Sequence, residues 1–217
     1  MRKRIAIVGS GISGLTVARG LYREHDITVF EAGSHVGGHT NIIDVATESG
    51  PLAVDTGFIV FNYVTYPNFT RLLAELGIEP QLSAMSFSVK CERTGLEYNG
   101  ASRAALFAQR RNFFRPAFWR MINDILRFNR EAPGLLEENA SECTLGDFLA
   151  ERKFSREFID YFIIPMGAAI WSAEPGAMFD FPARSFVRFF SNHGMLTVGK
   201  RPDWYVVPGG SRQYVER

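Results

Sequence analysis

The stretch IAIVGSGISGLTVARGLYREHDITVFEAGSHVGGHT, Ile5 to Thr40, decides how this chain folds. Ile5 to Val8 is a short apolar run that reads as a buried parallel strand. Gly9, Gly11 and Gly14 follow as G-x-G-x-x-G, with Ala18 keeping the next helical turn small. Ile27 to Phe30 is a second apolar strand, and it ends on an acid, Glu31, 22 positions after Gly9. That order and spacing are those of a dinucleotide-binding βαβ unit.

Each residue type has a physical task. Gly9 permits the tight turn from strand to helix, Gly11 lets backbone approach a pyrophosphate, and Gly14 lets helix pack closely on sheet. The helix start directs unpaired N–H groups and its positive dipole end at the phosphates. Glu31 can accept hydrogen bonds from both ribose hydroxyls and repels a 2′-phosphate, which disfavours an NADP-type ligand. The alternative is a glycine-rich turn without a ligand. Strand, helix, second strand and acid falling in register favour the ligand.

The 217 residues are 46% hydrophobic with net charge +1 and mean hydropathy −0.05, an ordinary globular composition for one large or two small domains. Near-zero charge gives no reason to expect nucleic acid. Met1 to Arg4 is basic, but the apolar run behind it stops at Gly9, too short for a signal-peptide core. No run approaches the ~20 apolar residues of a membrane-spanning helix. Cys91 and Cys143 stand far apart without metal-ligand partners and read as reduced thiols of a cytoplasmic protein. His35 and His39 are four apart, yet Gly37 and Gly38 between them argue against a helix and so against a metal pair.

Beyond the acid come Gly37-Gly38-His39 and then Asp55-Thr56-Gly57. The order G-x-G-x-x-G, E-A, G-G-[RH], D-x-G resembles the superfamily of FAD-dependent amine oxidases, phytoene desaturases and protoporphyrinogen oxidases. More narrowly, GGHTN, DTGFIVFN-x-x-TYPN, PMGAAIWS, FPARSFVRFF-x-NHG and RPDWYVVPGGSRQYVE resemble a bacterial group of FAD-dependent oxidoreductases. The resemblance spans nearly the whole chain and implies FAD rather than NAD. It implies a cofactor site of Gly9, Gly11, Ile12, Ser13, Gly14, Glu31, Ala32, Gly37, Gly38, His39, Thr40, Gly57, Phe58 and Ile59. The double glycine would lie against the pyrophosphate and ribityl chain, and the D-x-G segment beside the flavin ring. The family most often carries Arg where this chain has His39. A neutral imidazole can donate a hydrogen bond but lacks a forked, permanent charge. Asp55 is readable as a general base or, preferably, as a carboxylate capping its turn.

Further along, Thr65 to Leu76 has helical spacing closed by Gly77, and Met85 to Tyr98 alternates like a β-hairpin around Arg93-Thr94-Gly95. Ala101 to Ala132 is basic and aromatic, near helical period and broken at Pro116. It fits an amphipathic pair lying on anionic lipid or, preferably, core helices with a solvated basic face. Thr144-Leu145-Gly146-Asp147 resembles a capping box. Ser155 to Ile164 reads as a short helix ended by Pro165. Trp171 and the phenylalanines from Phe179 to Phe190 suit either an apolar substrate cavity or a dense core. His193, a lone imidazole, reads as structural.

The expected architecture is α/β: a Rossmann-like FAD-binding βαβ unit over 1–84, an inserted α+β substrate domain over 85–203, and a return to the first unit over 204–217. By the resemblance, the chain is the N-terminal half of a longer protein, truncated at its C-terminus. The expected function is an FAD-dependent oxidoreductase moving hydride from a small-molecule substrate to flavin N5, without a named catalytic residue. The substrate is open between an amine, a polyene or fatty-acyl chain and a porphyrin-like ring, and the aromatic content tilts the reading toward a lipid-like molecule. A flavin-dependent isomerase and a non-enzymatic dinucleotide-binding fragment are the alternatives. Peripheral membrane contact fits the basic segment, no metal is expected, and the oligomeric state stays open.

Overall fold

A computed structural model describes residues 1–137, 142–197 and 202–217; Arg201, the first residue of the last quoted motif, lies outside them. The chain forms two compact units, one of residues 1–84 with 203–217 and the other of residues 85–202.

In the first unit β1 (Arg4–Val8) leads into helix α1 (Ile12–Leu21), which returns to β2 (Asp26–Phe30). The two strands pair in parallel with Ile5 opposite Ile27 and Val8 opposite Phe30. Parallel sheets are normally covered on both faces, yet Val8 is 89% exposed and Phe30 also faces solvent. An antiparallel hairpin follows, β3 (Ile42–Thr47) with β4 (Gly50–Asp55), then helix α2 (Pro67–Glu75) with proline in its first turn. Strand β5 (Gln81–Ser83) pairs antiparallel with Trp204–Val206, so the end of the chain comes back to its beginning. Tyr205 extends that pairing by exchanging backbone hydrogen bonds with Phe61. Phe61, Leu73, Ile78, Val207 and Tyr214 form the core of this unit.

The second unit carries the hairpin β6 (Ser88–Cys91) and β7 (Leu96–Asn99), as the alternation in this stretch predicts. The helix Pro116–Glu131 starts at Pro116 rather than breaking there, because proline tolerates the first helical turn, where an N–H has no partner anyway. Its apolar stripe, Phe118, Met121 and Phe128, is buried against the hairpin and the other helices. Thr144 and Asp147 form the anticipated capping box: the Asp147 N–H donates to Thr144 Oγ1 at 3.0 Å and the Thr144 N–H to Asp147 Oδ2 at 3.2 Å.

Trp171 packs on Phe181, Phe186 and Phe189, so it fills the core of this unit, as do buried Phe186 and Phe190. His193 stacks on Phe189, and its Nδ1 lies 2.8 Å from that residue's carbonyl oxygen, a packing role.

Two expectations are corrected. The strand Arg4–Val8 is parallel but not buried, since among the described residues it pairs with β2 alone and Val8 is exposed. Pro165 does not end the helix begun at Ser155; the helical course runs on through Ile164–Trp171. A π-helical turn over Ile159–Ile163 widens the spiral just ahead of the proline. Pro165 has no N–H for the Tyr161 carbonyl four residues back, and that carbonyl accepts the Tyr98 hydroxyl at 2.6 Å instead. Burial raises the Tyr98 phenol well above its ordinary range, so it remains a donor at all working pH values.

Tyr98→Phe should therefore destabilise this unit by about 1 kcal/mol, the usual net value of one hydrogen bond. The loss should shrink in a Pro165→Ala background, where residue 165 regains its N–H. Equal losses in both backgrounds, measured by urea unfolding, would reject this compensation.

Candidate cofactor site

The site is built where β1 turns into α1. Gly14 explains the closeness of that turn: a Cβ on it would fall 2.0 Å from the Gly9 carbonyl oxygen and 3.3 Å from Ile7 Cγ2. Only glycine lets the helix sit so near the strand. Gly9 and Gly11 behave in the opposite way, since a Cβ on either would meet nothing within 4 Å. Gly9 also takes a positive φ of 94°, a conformation other residues adopt at a cost. The helix begins at Gly11 without any side chain capping its first N–H groups. An uncapped ten-residue helix with open space over its glycine turn fits a diphosphate, which needs N–H donors and room.

Glu31 ends β2 beside this turn. Its Oε2 accepts the Ser10 N–H at 2.9 Å and the Ser10 hydroxyl, and its Oε1 accepts the Gly33 N–H at 2.7 Å. These donors, the Ser10 hydroxyl first, hold the Glu31 carboxyl down at about 2 against an ordinary 4.5. A carboxylate offers about four acceptor positions. Three donors therefore leave one position open on Oε1, enough for one ribose hydroxyl; a second would require the Ser10 hydroxyl to turn away.

The double glycine lies directly beside the first loop. Gly37 bridges to Gly11, and its N–H donates to the Ser10 carbonyl at 3.1 Å and to Ser10 Oγ at 3.2 Å. A Cβ on Gly38 would be 3.1 Å from Gly11 Cα. Gly9, Gly11, Ile12, Ser13, Gly14, Glu31, Ala32, Gly37 and Gly38 thus gather at one turn. His39 joins through its backbone: its carbonyl oxygen would be 2.0 Å from a Cβ on Gly57, so the D-x-G loop can close on it only with glycine there. The His39 side chain is exposed.

Thr40, Phe58 and Ile59 lie further along the chain, with these surroundings. Thr40 is buried, with its hydroxyl 3.2 Å from that of Tyr214. The Phe58 ring packs on Tyr66 and Phe69 in the core of the unit, and Ile59 is exposed. Asp55 Oδ1 accepts the Ser211 N–H at 2.9 Å and the Ser211 hydroxyl at 2.5 Å, so it caps the turn before the last helix, Arg212–Val215. Among the described residues, no group of three or more His, Cys, Asp and Glu side chains could hold a metal.

Sequence reasoning passed over Ser10 and Tyr214. Ser10 occupies a variable position of the fingerprint yet is 1% exposed and touches both other loops. Its one signal is a small hydroxyl between two glycines. Tyr214 is 174 residues from Thr40, beyond the reach of local pattern.

Residues 7–76 match the family model of the NAD(P)-binding Rossmann-like domain. That segment has a Rossmann-like fold. The chain also superimposes on solved oxidases. Cyclohexylamine oxidase from Brevibacterium oxydans matches with TM-score 0.68 at 18% identity, over 99% of this chain and 48% of that one. Putrescine oxidase bound to putrescine matches with TM-score 0.63 at 18% identity, over 99% and 49%. A fatty acid isomerase from P. acnes that produces CLA gives 0.58 at 14%, over 99% and 48%. The chain shares the fold of these structures and spans about half their length. No curated protein sequence matches it significantly.

Because its folded pKa is depressed, Glu31 contributes stability in full above pH 4.5, and this is lost as pH falls towards 2. Ser10→Ala should raise the Glu31 pKa and move that loss to higher pH while the fold persists. Carboxyl-carbon NMR titration reads the pKa directly. An unmoved value would remove Ser10 from this role.

Proposed function

We propose that this chain is the cofactor-holding portion of an FAD-dependent oxidoreductase. The observation that carries the proposal is the glycine turn. Open space lies over Gly9 and Gly11, the start of α1 is uncapped, and the Glu31 carboxylate is already fixed beside them. The Ile12, Ser13 and Gly14 N–H groups would face the diphosphate, with Gly37 and Gly38 keeping the second loop low enough to admit it. Glu31 would take a ribose hydroxyl through the free position on Oε1. Its undiminished negative charge turns away a 2′-phosphate, which selects against NADP. His39 supplies an exposed ring N–H donor beyond the double glycine.

When bound, FAD would supply the redox chemistry, hydride acceptance from a substrate carbon at flavin N5 and reoxidation by oxygen or another acceptor. Support for FAD over NAD comes from the second glycine pair and the D-x-G loop, which closes on His39 rather than standing apart. Amine and lipid-like substrates are the two classes we favour, since cyclohexylamine oxidase, putrescine oxidase and a fatty acid isomerase share the fold. The isomerase supports a second reading, rearrangement without net redox change, which a product of unchanged mass would identify. Two unpaired cysteines support a cytoplasmic setting. Among the described residues no helix is long and apolar enough to cross a membrane.

Glu31→Ala should weaken FAD binding ~10- to ~100-fold, the scale of a lost hydrogen bond to a charged group. Gly11→Val should abolish it by filling the open space over the turn. Fluorescence titration with FAD, and with NADH and NADPH as competitors, checks both. Unchanged FAD affinity in either variant would overturn the assignment of the turn, and preferred NADH binding would overturn the cofactor.

A further inference from the structure

The segment between Asn99 and Asp124 contains Arg103, Arg110, Arg111, Arg115 and Arg120 and no carboxylate. Among the described residues only Arg120 has an acidic partner, Glu157 at 2.5 Å. Among the described residues the other four arginines form no salt bridge, and all but half-buried Arg115 are exposed. The same segment turns aromatic rings outward. Phe114 is 89% exposed, Phe113 50% and Trp119 41%, in a chain whose other phenylalanines mostly build its cores.

Two of these rings, Phe113 and Trp119, are held in place by neighbours. Phe113 stacks on Phe107 with centroids 3.9 Å apart, Trp119 lies 5.5 Å from Phe107, and Trp119 Nε1 donates to the Phe113 carbonyl at 2.9 Å. Beneath them the 3-10 turn Arg110–Phe114 is bound to β7: fully buried Asn112 donates from Nδ2 to the Glu97 carbonyl at 3.0 Å. Gln109 donates to the Gly95 carbonyl at 2.9 Å. The apolar stripe of the following helix is spent on the core, so this tip is a separate surface that the core does not use.

We propose that this tip docks on an anionic lipid bilayer, with Phe113, Phe114 and Trp119 entering the headgroup region and the arginines that have no acidic partner meeting lipid phosphate and carboxylate. Aromatic rings settle at the membrane–water boundary because one part is apolar and the rim tolerates water. Exposed arginines add electrostatic attraction to acidic lipid. A preformed aromatic cluster loses little freedom on insertion. A nucleic acid would also favour arginines, but bases need open ring faces to stack on, and Phe113 gives one of its faces to Phe107. The proposal stands independently of the cofactor assignment.

Flotation of the full-length protein with phosphatidylcholine vesicles, and with vesicles also containing phosphatidylserine, tests it. Binding should require phosphatidylserine and weaken with salt. The variant Phe114→Ser, at a position so exposed that folding is unaffected, should reduce the bound fraction severalfold. Arg103→Glu with Arg110→Glu should reduce it by at least about fivefold per position. A blue shift of tryptophan emission on binding should vanish in Trp119→Phe, while Trp171 and Trp204 remain. Absence of vesicle binding, binding indifferent to these variants, or capture of single-stranded RNA by the same residues in place of vesicles would each overturn it.

Discussion

The first unit depends on how the charge of Glu31 is accommodated. No arginine or lysine neutralises it among the described residues; N–H and O–H donors from Ser10 and Gly33 hold it. Neutral donors fix a carboxylate in place without cancelling its charge, so the group keeps both its geometry and its repulsion of a second anion. A cation would have held it equally firmly and removed its power to discriminate. Because Ser10 also receives the Gly37 N–H, one hydroxyl couples the first glycine loop, the acid and the double glycine. Disturbing any of the three moves the other two.

The last fifteen residues complete that arrangement from the far end of the sequence. Tyr205 pairs with Phe61, Ser211 satisfies Asp55, Tyr214 meets Thr40, and Arg217 donates to the Leu76 carbonyl at 2.9 Å. Each contact reaches a different element of the first unit. Closing so long a loop costs entropy only slowly with its length, so a few hydrogen bonds and the burial of Tyr214 suffice. The D-x-G loop is thereby held from both sides, by His39 against Gly57 and by Ser211 on Asp55.

How much was legible in sequence follows from the range over which each feature is determined. The βαβ unit, the hairpin at β6 and β7 and the capping box at Thr144 are set by neighbours a few residues apart, and periodicity and glycine placement reveal them. The continuation through Pro165 was not legible, because the donor that compensates is Tyr98, 63 residues from the Tyr161 carbonyl. Phe58 and Thr40 carry the same lesson: the neighbours of their side chains, Phe69 and Tyr214, lie beyond the range of local pattern. Local pattern identifies where backbone must approach backbone better than it identifies what each side chain touches.

The aromatic residues show why composition alone could not separate a pocket from a core. The chain holds 19 phenylalanines, and Phe181, Phe186 and Phe189 pack around Trp171, with Phe190 stacked on Phe186. What sets Phe113 and Phe114 apart is not their chemistry but their company. Neighbouring arginines cannot be buried without partners, so a turn rich in them is pinned at the surface and brings its rings along. Charge thus decides where an aromatic residue ends up: between apolar helices it becomes core, and among unpaired arginines it stays in water until another surface covers it.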